Sequence, residues 1–192
     1  MKKITLIPLL FIFNFSFAQE EMITHSGVIN FEASVPFYEE VKATNESSSC
    51  VLNIATGAFT DVVLIKDFHF KIPLMEEHFN KNYLESDRYP KALFKGKIQG
   101  FNINIIGTDF KEFVLKGKLE IHGKSKEIAI PVFLKKVSDG LKITSNFKVN
   151  INDFDINIPR VLLVKIAETV TIKTAYLLQL KPKKSTFKIV GN

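Results

Sequence analysis

The sequence predicts an all-β protein: an antiparallel barrel of about eight strands with one short helix inserted around residues 73–84. Apolar and polar residues alternate over long stretches, which is typical of strands with one buried face. Many of these stretches reach ten or more residues and are apolar on one face only, which favours a closed barrel over a two-layer sandwich. An eight-stranded barrel has an interior that holds side chains or one small ligand.

The inward face of each predicted strand follows from residues spaced two apart. In the first strand, "ITHSGVINFEASV", one face carries Ile23, His25, Ile29, Phe31, Ala33 and Val35. Later inward rows are Phe113, Leu115, Gly117, Leu119 and Ile121, then Ile128, Ile130, Val132 and Leu134, then Leu141, Ile143, Phe147, Val149 and Ile151, and finally Ile166, Val170, Ile172, Tyr176, Leu178 and Leu180. The segments "CVLNIAT", "FTDVVLIKDFHF" and "KALFKGKIQGFNINII" complete the set. Turn signals at "HGKS" and "SDG" predict antiparallel neighbours.

A charged amphipathic segment interrupts the alternation after residue 72. Pro73 predicts a helix start and Tyr89-Pro90 a stop. Between them, apolar and aromatic residues recur at spacings of three and four, namely Leu74, Met75, His78, Phe79 and Tyr83. We expect this helix to cover one mouth of the barrel or to lie along its flank, either as a plug that completes the core or as a gate for a ligand.

The N terminus predicts export. Two lysines precede an apolar run from Ile4 to Phe17, and Ala18 is a small residue ahead of Gln19. This pattern is typical of a secretory signal peptide at residues 1–18, cleaved after Ala18. The run is shorter than the roughly 20 apolar residues of a membrane-spanning helix. We therefore expect a periplasmic protein with no transmembrane segment in the mature chain, a barrel domain at residues 19–180 and a basic tail at residues 181–192.

The charge distribution argues against a nucleic-acid partner, and the single cysteine excludes an internal disulfide. The net charge of +6 falls to +4 when Lys2 and Lys3 leave with the signal peptide, and the remaining lysines are spread over the outward rows of strands. This distribution lacks the aromatic-basic clusters of nucleic-acid readers, so no nucleic-acid partner is expected. The lone Cys50 has no partner for an internal disulfide and lies in "CVLNIAT", which predicts a buried thiol.

No motif predicts a reaction or a metal site. The histidines His25, His69, His78 and His122 are scattered without HxH or HExxH spacing. "NDFDIN" begins like a calcium loop but has no glycine at the sixth place. We expect a protein that is not an enzyme.

Several motifs together resemble one known family. They are Phe79-Asn80, Tyr83-Leu84-Glu85-Ser86, Tyr89-Pro90, Phe94-Lys95-Gly96, the stretch from Gly117 to Gly123, and the stretch from Phe147 to Pro159. The chain from Ile23 to Leu180 is similar to the YceI family, exported lipocalin-like barrels associated with polyisoprenoid binding. The resemblance implies an antiparallel barrel whose apolar interior holds a lipid such as a polyprenyl phosphate or a prenylated quinone.

The inward rows and the resemblance together give a set of candidate ligand-binding residues. These are His25, Ile29, Phe31, Phe79, Phe94, Phe113, Leu115, Gly117, Leu119, Phe147, Val149 and Tyr176. Small residues at Ala33, Gly96 and Gly117 leave room inside, although a strand glycine can also mark a bend or bulge. No cofactor is expected other than a bound polyisoprenoid lipid, and the oligomeric state stays open.

Polar residues on the inward rows leave two interpretations. His25, Ser145, Asp153 and Thr174 either hydrogen-bond a ligand head group or pair with one another. Lys165 and Arg160 are candidates to meet an anionic phosphate at a barrel mouth.

We expect non-catalytic binding, sequestration or transport of an apolar chain-like lipid. The main alternative is a barrel with a filled core that serves as an envelope-stress or protein-interaction module, and an enzyme with a pocket carboxylate or histidine ranks third. An interior that is open rather than packed solid distinguishes the first from the second.

Overall fold

Strands make up most of the structure. The computed structural model describes residues 20–182, so the predicted signal peptide and residues 183–192 of the predicted tail lie outside the described residues. The strands are β1 (Glu21–Ser34), β2 (Lys42–Asn53), β3 (Ala58–Leu64), β4 (His69–Phe70), β5 (Lys91–Ile98), β6 (Lys111–Ile121), β7 (Lys124–Val137), β8 (Gly140–Asn150) and β9 (Ile166–Leu180). One α-helix, α1 (Pro73–His78), lies between β4 and β5.

Eight of these strands close into an antiparallel ring. Their hydrogen-bonded order is β1-β9-β8-β7-β6-β5-β3-β2, and a ladder between β1 and β2 joins the two ends. The two-residue β4 pairs with the start of β2 and stays outside the ring. Closure pairs the strand edges that an open sheet would leave free. The predicted antiparallel barrel is therefore confirmed.

The two ends of the barrel differ. At the end where β1 begins, which we call the sealed end, large apolar side chains fill the interior; they include Met22, Leu52, Ile98, Phe113, Leu134, Leu141 and Leu178. The opposite end, which we call the open end, is bordered by the β1–β2 turn, the segment that contains α1, the β6–β7 turn and the β8–β9 loop. Within residues 20–182, the side chains that line unfilled interior space lie toward this end.

The predicted helix is present with a change in its last turn. Pro73 occupies the first turn of α1, as expected for a residue without a backbone N–H. After His78 the chain widens into a π-type turn at Phe79–Tyr83, where the Leu84 N–H donates to the Phe79 carbonyl at 2.9 Å. This wider turn packs Phe79, Tyr83 and Leu84 against the barrel interior.

β1 departs from simple alternation at its start. Its register against β2 shifts between Thr24 and Gly27 and again before Ile29. Met22 and Thr24 are buried, whereas His25 is exposed and lies 3.1 Å from the Ser49 hydroxyl through its Nδ1 atom. The prediction that His25 faces inward is therefore wrong. A bulge swaps the faces of the strand, and the expected row begins only after it.

Candidate ligand-binding cavity

The open half of the barrel contains an apolar cavity of about 390 Å³. Its deepest lining residues on β9 and β3 are Tyr176 and Phe59, and beyond them the packed sealed end begins. Exposed residues also line it, among them Glu39, His78 and Lys165, so the cavity reaches the surface at the open end. The cavity is thus a pocket closed at one end, within the size range of roughly 300–1,000 Å³ that is common for small-molecule sites.

The structure brings nine of the candidate residues together around this cavity. They are Ile29, Phe31, Phe79, Phe94, Leu115, Leu119, Phe147, Val149 and Tyr176. They come from β1, β5, β6, β8, β9 and the turn after α1, since closure of the ring directs one face of every strand to the same interior. Their role in ligand binding stays a prediction.

Three candidate residues do not line the cavity. His25 lies on the outer surface because of the bulge in β1. Phe113 is buried among the core side chains of the sealed end and is not part of the cavity lining. Gly117 shares the inward face of β6 with Leu115 and Leu119, yet the backbone rather than the cavity occupies the space beside it.

Gly117 lies opposite Gly96 in the ladder between β6 and β5. A Cβ atom at residue 117 would overlap the Lys95 carbonyl and the Gly96 Cα, and a Cβ at residue 96 would overlap the Lys116 carbonyl and the Gly117 Cα. The two strands therefore approach closely at this glycine pair. The prediction that Gly117 leaves room for a ligand is wrong, and the register of β6 runs unbroken through this residue, so the glycine marks a close approach of two strands and not a bulge.

Four phenylalanines form a cluster beside the mouth of the cavity. Phe31 of β1 stacks on Phe79 with ring centroids 5.3 Å apart and an interplanar angle of 18°. Phe68 and Phe70 contact both rings, at centroid distances of 5.1 to 5.7 Å. All four line the cavity, and they fix the segment around α1 onto the barrel wall. Sequence reasoning did not select Phe68 and Phe70, although their spacing of two residues in "DFHF" places them on one face.

A polar cluster lies at the deep end of the cavity. The buried Asp61 carboxylate accepts hydrogen bonds from the Ser48 hydroxyl and from the Tyr176 hydroxyl, the latter at 2.8 Å. Burial raises the pKa of Asp61 to about 6, although these two hydroxyls and the Val62 N–H favour its charged form. Burial, followed by the nearby Asp61 charge, also raises the pKa of Tyr176 and of the buried Cys50 thiol.

Sequence reasoning missed Asp61 as an interior residue. The signal was present, because Asp61 lies between Phe59 and Val63 at a spacing of two within β3. A lone acidic residue on an apolar row requires hydrogen-bond partners from other strands, and here β2 and β9 provide them.

The other polar residues predicted to face inward divide into two groups. Ser145 and Thr174 line the cavity, and the Ser145 hydroxyl donates to the Pro131 carbonyl at 2.6 Å. Asp153 does not face inward, because it lies in the turn that follows β8, where its carboxylate pairs with Lys126 at the surface. At the mouth, Lys165 lines the cavity, while Arg160 is exposed in the same β8–β9 loop.

Among residues 20–182 no three His, Cys, Asp or Glu side chains come close enough to hold a metal ion. The same part of the chain contains no helix that is both long and apolar enough to cross a membrane.

The fold and the cavity define a class of protein: a small closed β-barrel whose interior has space for one apolar ligand. The chain matches the model of the YceI-like domain over residues 14–176, and it therefore belongs to the YceI-like family. A search of curated proteins gave no match.

Solved structures share this fold at low sequence identity. A polyisoprenoid binding domain from Saccharophagus degradans, implicated in plant cell wall breakdown, is similar with a TM-score of 0.71 at 12% identity, over 84% of this chain and 98% of that chain. Burkholderia cenocepacia BcnA has a TM-score of 0.63 at 17% identity, over 79% and 94% of the two chains. A Campylobacter jejuni YceI protein has a TM-score of 0.61 at 15% identity, over 95% and 100%.

Proposed function

We propose that this protein binds an apolar, chain-like lipid, a polyisoprenoid or a prenylated quinone, and holds it without transforming it. The observation that carries the proposal is the apolar cavity, which is closed at the sealed end and reaches the surface at the open end. The mostly apolar lining suits the hydrocarbon tail, with the Asp61 carboxylate at the deep end paired to protein hydroxyls, and a mouth with Lys165 suits a polar or anionic head group.

Hydrophobic burial is sufficient to drive such binding. Removing several hundred Å² of hydrocarbon from water contributes on the order of 10 kcal/mol, at about 25 cal/mol per Å², before the entropy of ordering the chain is subtracted. A chain that fits the cavity is therefore expected to remain bound through purification. The polyisoprenoid binding named for the Saccharophagus degradans domain supports the choice of ligand class.

The cavity also bears on the two alternatives. A barrel that acts only as an interaction module has no need of an unfilled interior, and a cavity of about 390 Å³ argues against a solid core. For an enzyme, Asp61 would be the natural cavity carboxylate, but its oxygens accept hydrogen bonds from the Ser48 and Tyr176 hydroxyls, which favours a structural role in linking three strands. We propose in addition that the protein is exported and periplasmic, on the basis of the signal-peptide pattern in residues 1–18.

A matched pair of substitutions tests the binding site. Val149 lines the cavity from β8, whereas Val114 is exposed on the outer face of β6. Val149→Trp should fill the space and weaken binding of a tritiated polyprenyl phosphate to the delipidated protein by about tenfold or more. Val114→Trp makes the same change outside and should bind like the wild type. Circular dichroism should show both variants folded, and equal binding by Val149→Trp would contradict a ligand in this cavity.

A further inference from the structure

Exposed apolar side chains surround the mouth of the cavity on three loops. We call this set the apolar rim; it consists of Phe37, Tyr38, Leu74, Val161 and Val164. Phe37 and Tyr38 lie in the β1–β2 turn, Leu74 in α1, and Val161 and Val164 in the β8–β9 loop. The loops are neighbours, since Ser34 of β1 pairs with Ile166 of β9 and Ala43 of β2 pairs with Phe70 beside α1.

Phe37 is the clearest member of the apolar rim. It is fully exposed, and its backbone has a φ of 70° in a turn closed by the Tyr38 N–H and the Val35 carbonyl at 3.2 Å. A turn position with positive φ favours glycine, because a side chain there is strained. A phenyl ring at this position contributes no packing within the described chain and is unfavourable both to the backbone and to solvation. Such a combination points to a role outside the folded monomer.

The rim is continuous with the wall of the cavity. Val41, Met75 and Leu162 line the cavity, and each is a near neighbour in sequence of a rim residue. An apolar chain that leaves the cavity would therefore pass directly onto rim side chains. The β8–β9 loop also carries two cations, Arg160 and Lys165, on either side of Val161 and Val164. Neither cation forms an ion pair among the described residues. In the β8–β9 loop, apolar tips flanked by cations suit a phospholipid surface, with its phosphates above hydrocarbon, whereas the β1–β2 turn carries Glu39 and Glu40 beside its aromatic side chains.

We infer that the apolar rim docks the open end of the barrel onto a phospholipid bilayer, so that the lipid passes between membrane and cavity without crossing water. This inference rests on the proposed lipid-binding function. A protein partner fits less well, since specific protein interfaces need a continuous surface of roughly 800 Å² on each side. Separate side chains on three loops around an opening do not form such a surface, whereas each can enter a bilayer independently.

The test compares the same substitution at the two ends of the barrel. Phe37→Gly removes the rim phenyl ring and relieves its backbone, so it should not lower the melting temperature. Phe110→Gly removes a half-exposed phenylalanine just before β6, at the sealed end. Both variants are produced like the wild type, as the exported protein, so they share one N terminus.

Sedimentation with vesicles of three parts phosphatidylcholine and one part phosphatidylglycerol measures docking. The wild type should partition onto the vesicles, Phe37→Gly should partition roughly tenfold less, and Phe110→Gly should stay within about twofold of the wild type. The double variant Val161→Ser, Val164→Ser should also lose binding, which tests the rim independently of the turn. Equal vesicle binding by the rim variants and the wild type would overturn the inference.

Two parallel measurements on the wild type, lipid extraction and sedimentation without vesicles, distinguish bilayer docking from lipid binding alone and from dimer formation. If the wild type carries an extractable lipid but does not bind vesicles, bilayer docking is wrong while the proposed function stands. If vesicle binding follows the rim as predicted but no lipid is found, docking stands and the proposed function fails. If the wild type sediments as a dimer without vesicles and Phe37→Gly sediments as a monomer, a second copy covers the rim and the bilayer inference is wrong.

Discussion

Asp61 places a carboxylate inside an otherwise apolar barrel. Among the buried residues of the described chain, Asp61 is the only acidic one. Its hydrogen-bond partners Ser48 and Tyr176 lie in β2 and β9, the two strands that flank β1. The cluster thus ties β2, β3 and β9 together at the deep end of the cavity. Each carboxylate oxygen already accepts a hydrogen bond from the protein, which lowers the cost of placing this carboxylate beside an apolar tail.

The pKa of Asp61 makes stability depend on pH. Burial raises this pKa from 3.8 in the unfolded chain to about 6 in the folded protein. Between these values the folded protein holds a proton that the unfolded chain has lost, so the free energy of unfolding should fall as pH rises, by up to about 3 kcal/mol. Asp61→Asn cannot titrate and should remove this fall in urea unfolding measured from pH 4 to pH 7.

Asp139→Asn is the control, because Asp139 lies exposed in the β7–β8 turn. It should keep the pH dependence of the wild type. The opposite result would be a free energy of unfolding that rises between pH 4 and pH 6 in the wild type but stays constant in Asp61→Asn. It would show that the folded protein prefers the charged carboxylate and that the pKa of Asp61 is not raised.

Among the structural elements, β6 and β8 show where alternation predicts the inward face of a strand, and β1 shows where it fails. Alternation identifies the inward rows of β6 and β8, because every second residue faces the core. It fails at the start of β1, where Gly27 admits the Tyr176 ring: a Cβ there would come within 2.7 Å of the Tyr176 Cδ1 atom. The bulge coincides with a contact between residues that are far apart in sequence, and such a contact cannot be inferred from local periodicity.

The close approach of β5 and β6 predicts the effect of a methyl group. Gly117→Ala should force the two strands apart and lower the free energy of unfolding by about 1–3 kcal/mol, because the new Cβ meets backbone rather than a movable side chain. Lys116→Ala, on the outer face of the same strand, should change it by less than about 0.5 kcal/mol. Denaturant unfolding measures both, and a wild-type stability for Gly117→Ala would show that the cavity, not the backbone, lies beside this residue.

For the whole molecule, the sequence predicts the architecture well and the shape of its interior poorly. The closed ring and the inserted helix follow from strand length, one-sided alternation and the Pro73 signal. That the barrel is packed at one end and open at the other does not follow, since inward rows run along the full length of the strands. Phe113 and Phe147 share the same pattern, yet only Phe147 lines the cavity. Side-chain packing in three dimensions decides which apolar residues meet each other and which face space.

The most decisive experiment is organic extraction of the protein, purified from its own host, followed by mass spectrometry of the extract. We expect close to one apolar lipid per chain, with a polyisoprenoid chain, because the mostly apolar cavity is closed at one end and reaches the surface at the other. An extract from folded protein that contains no lipid in stoichiometric amount would contradict the account.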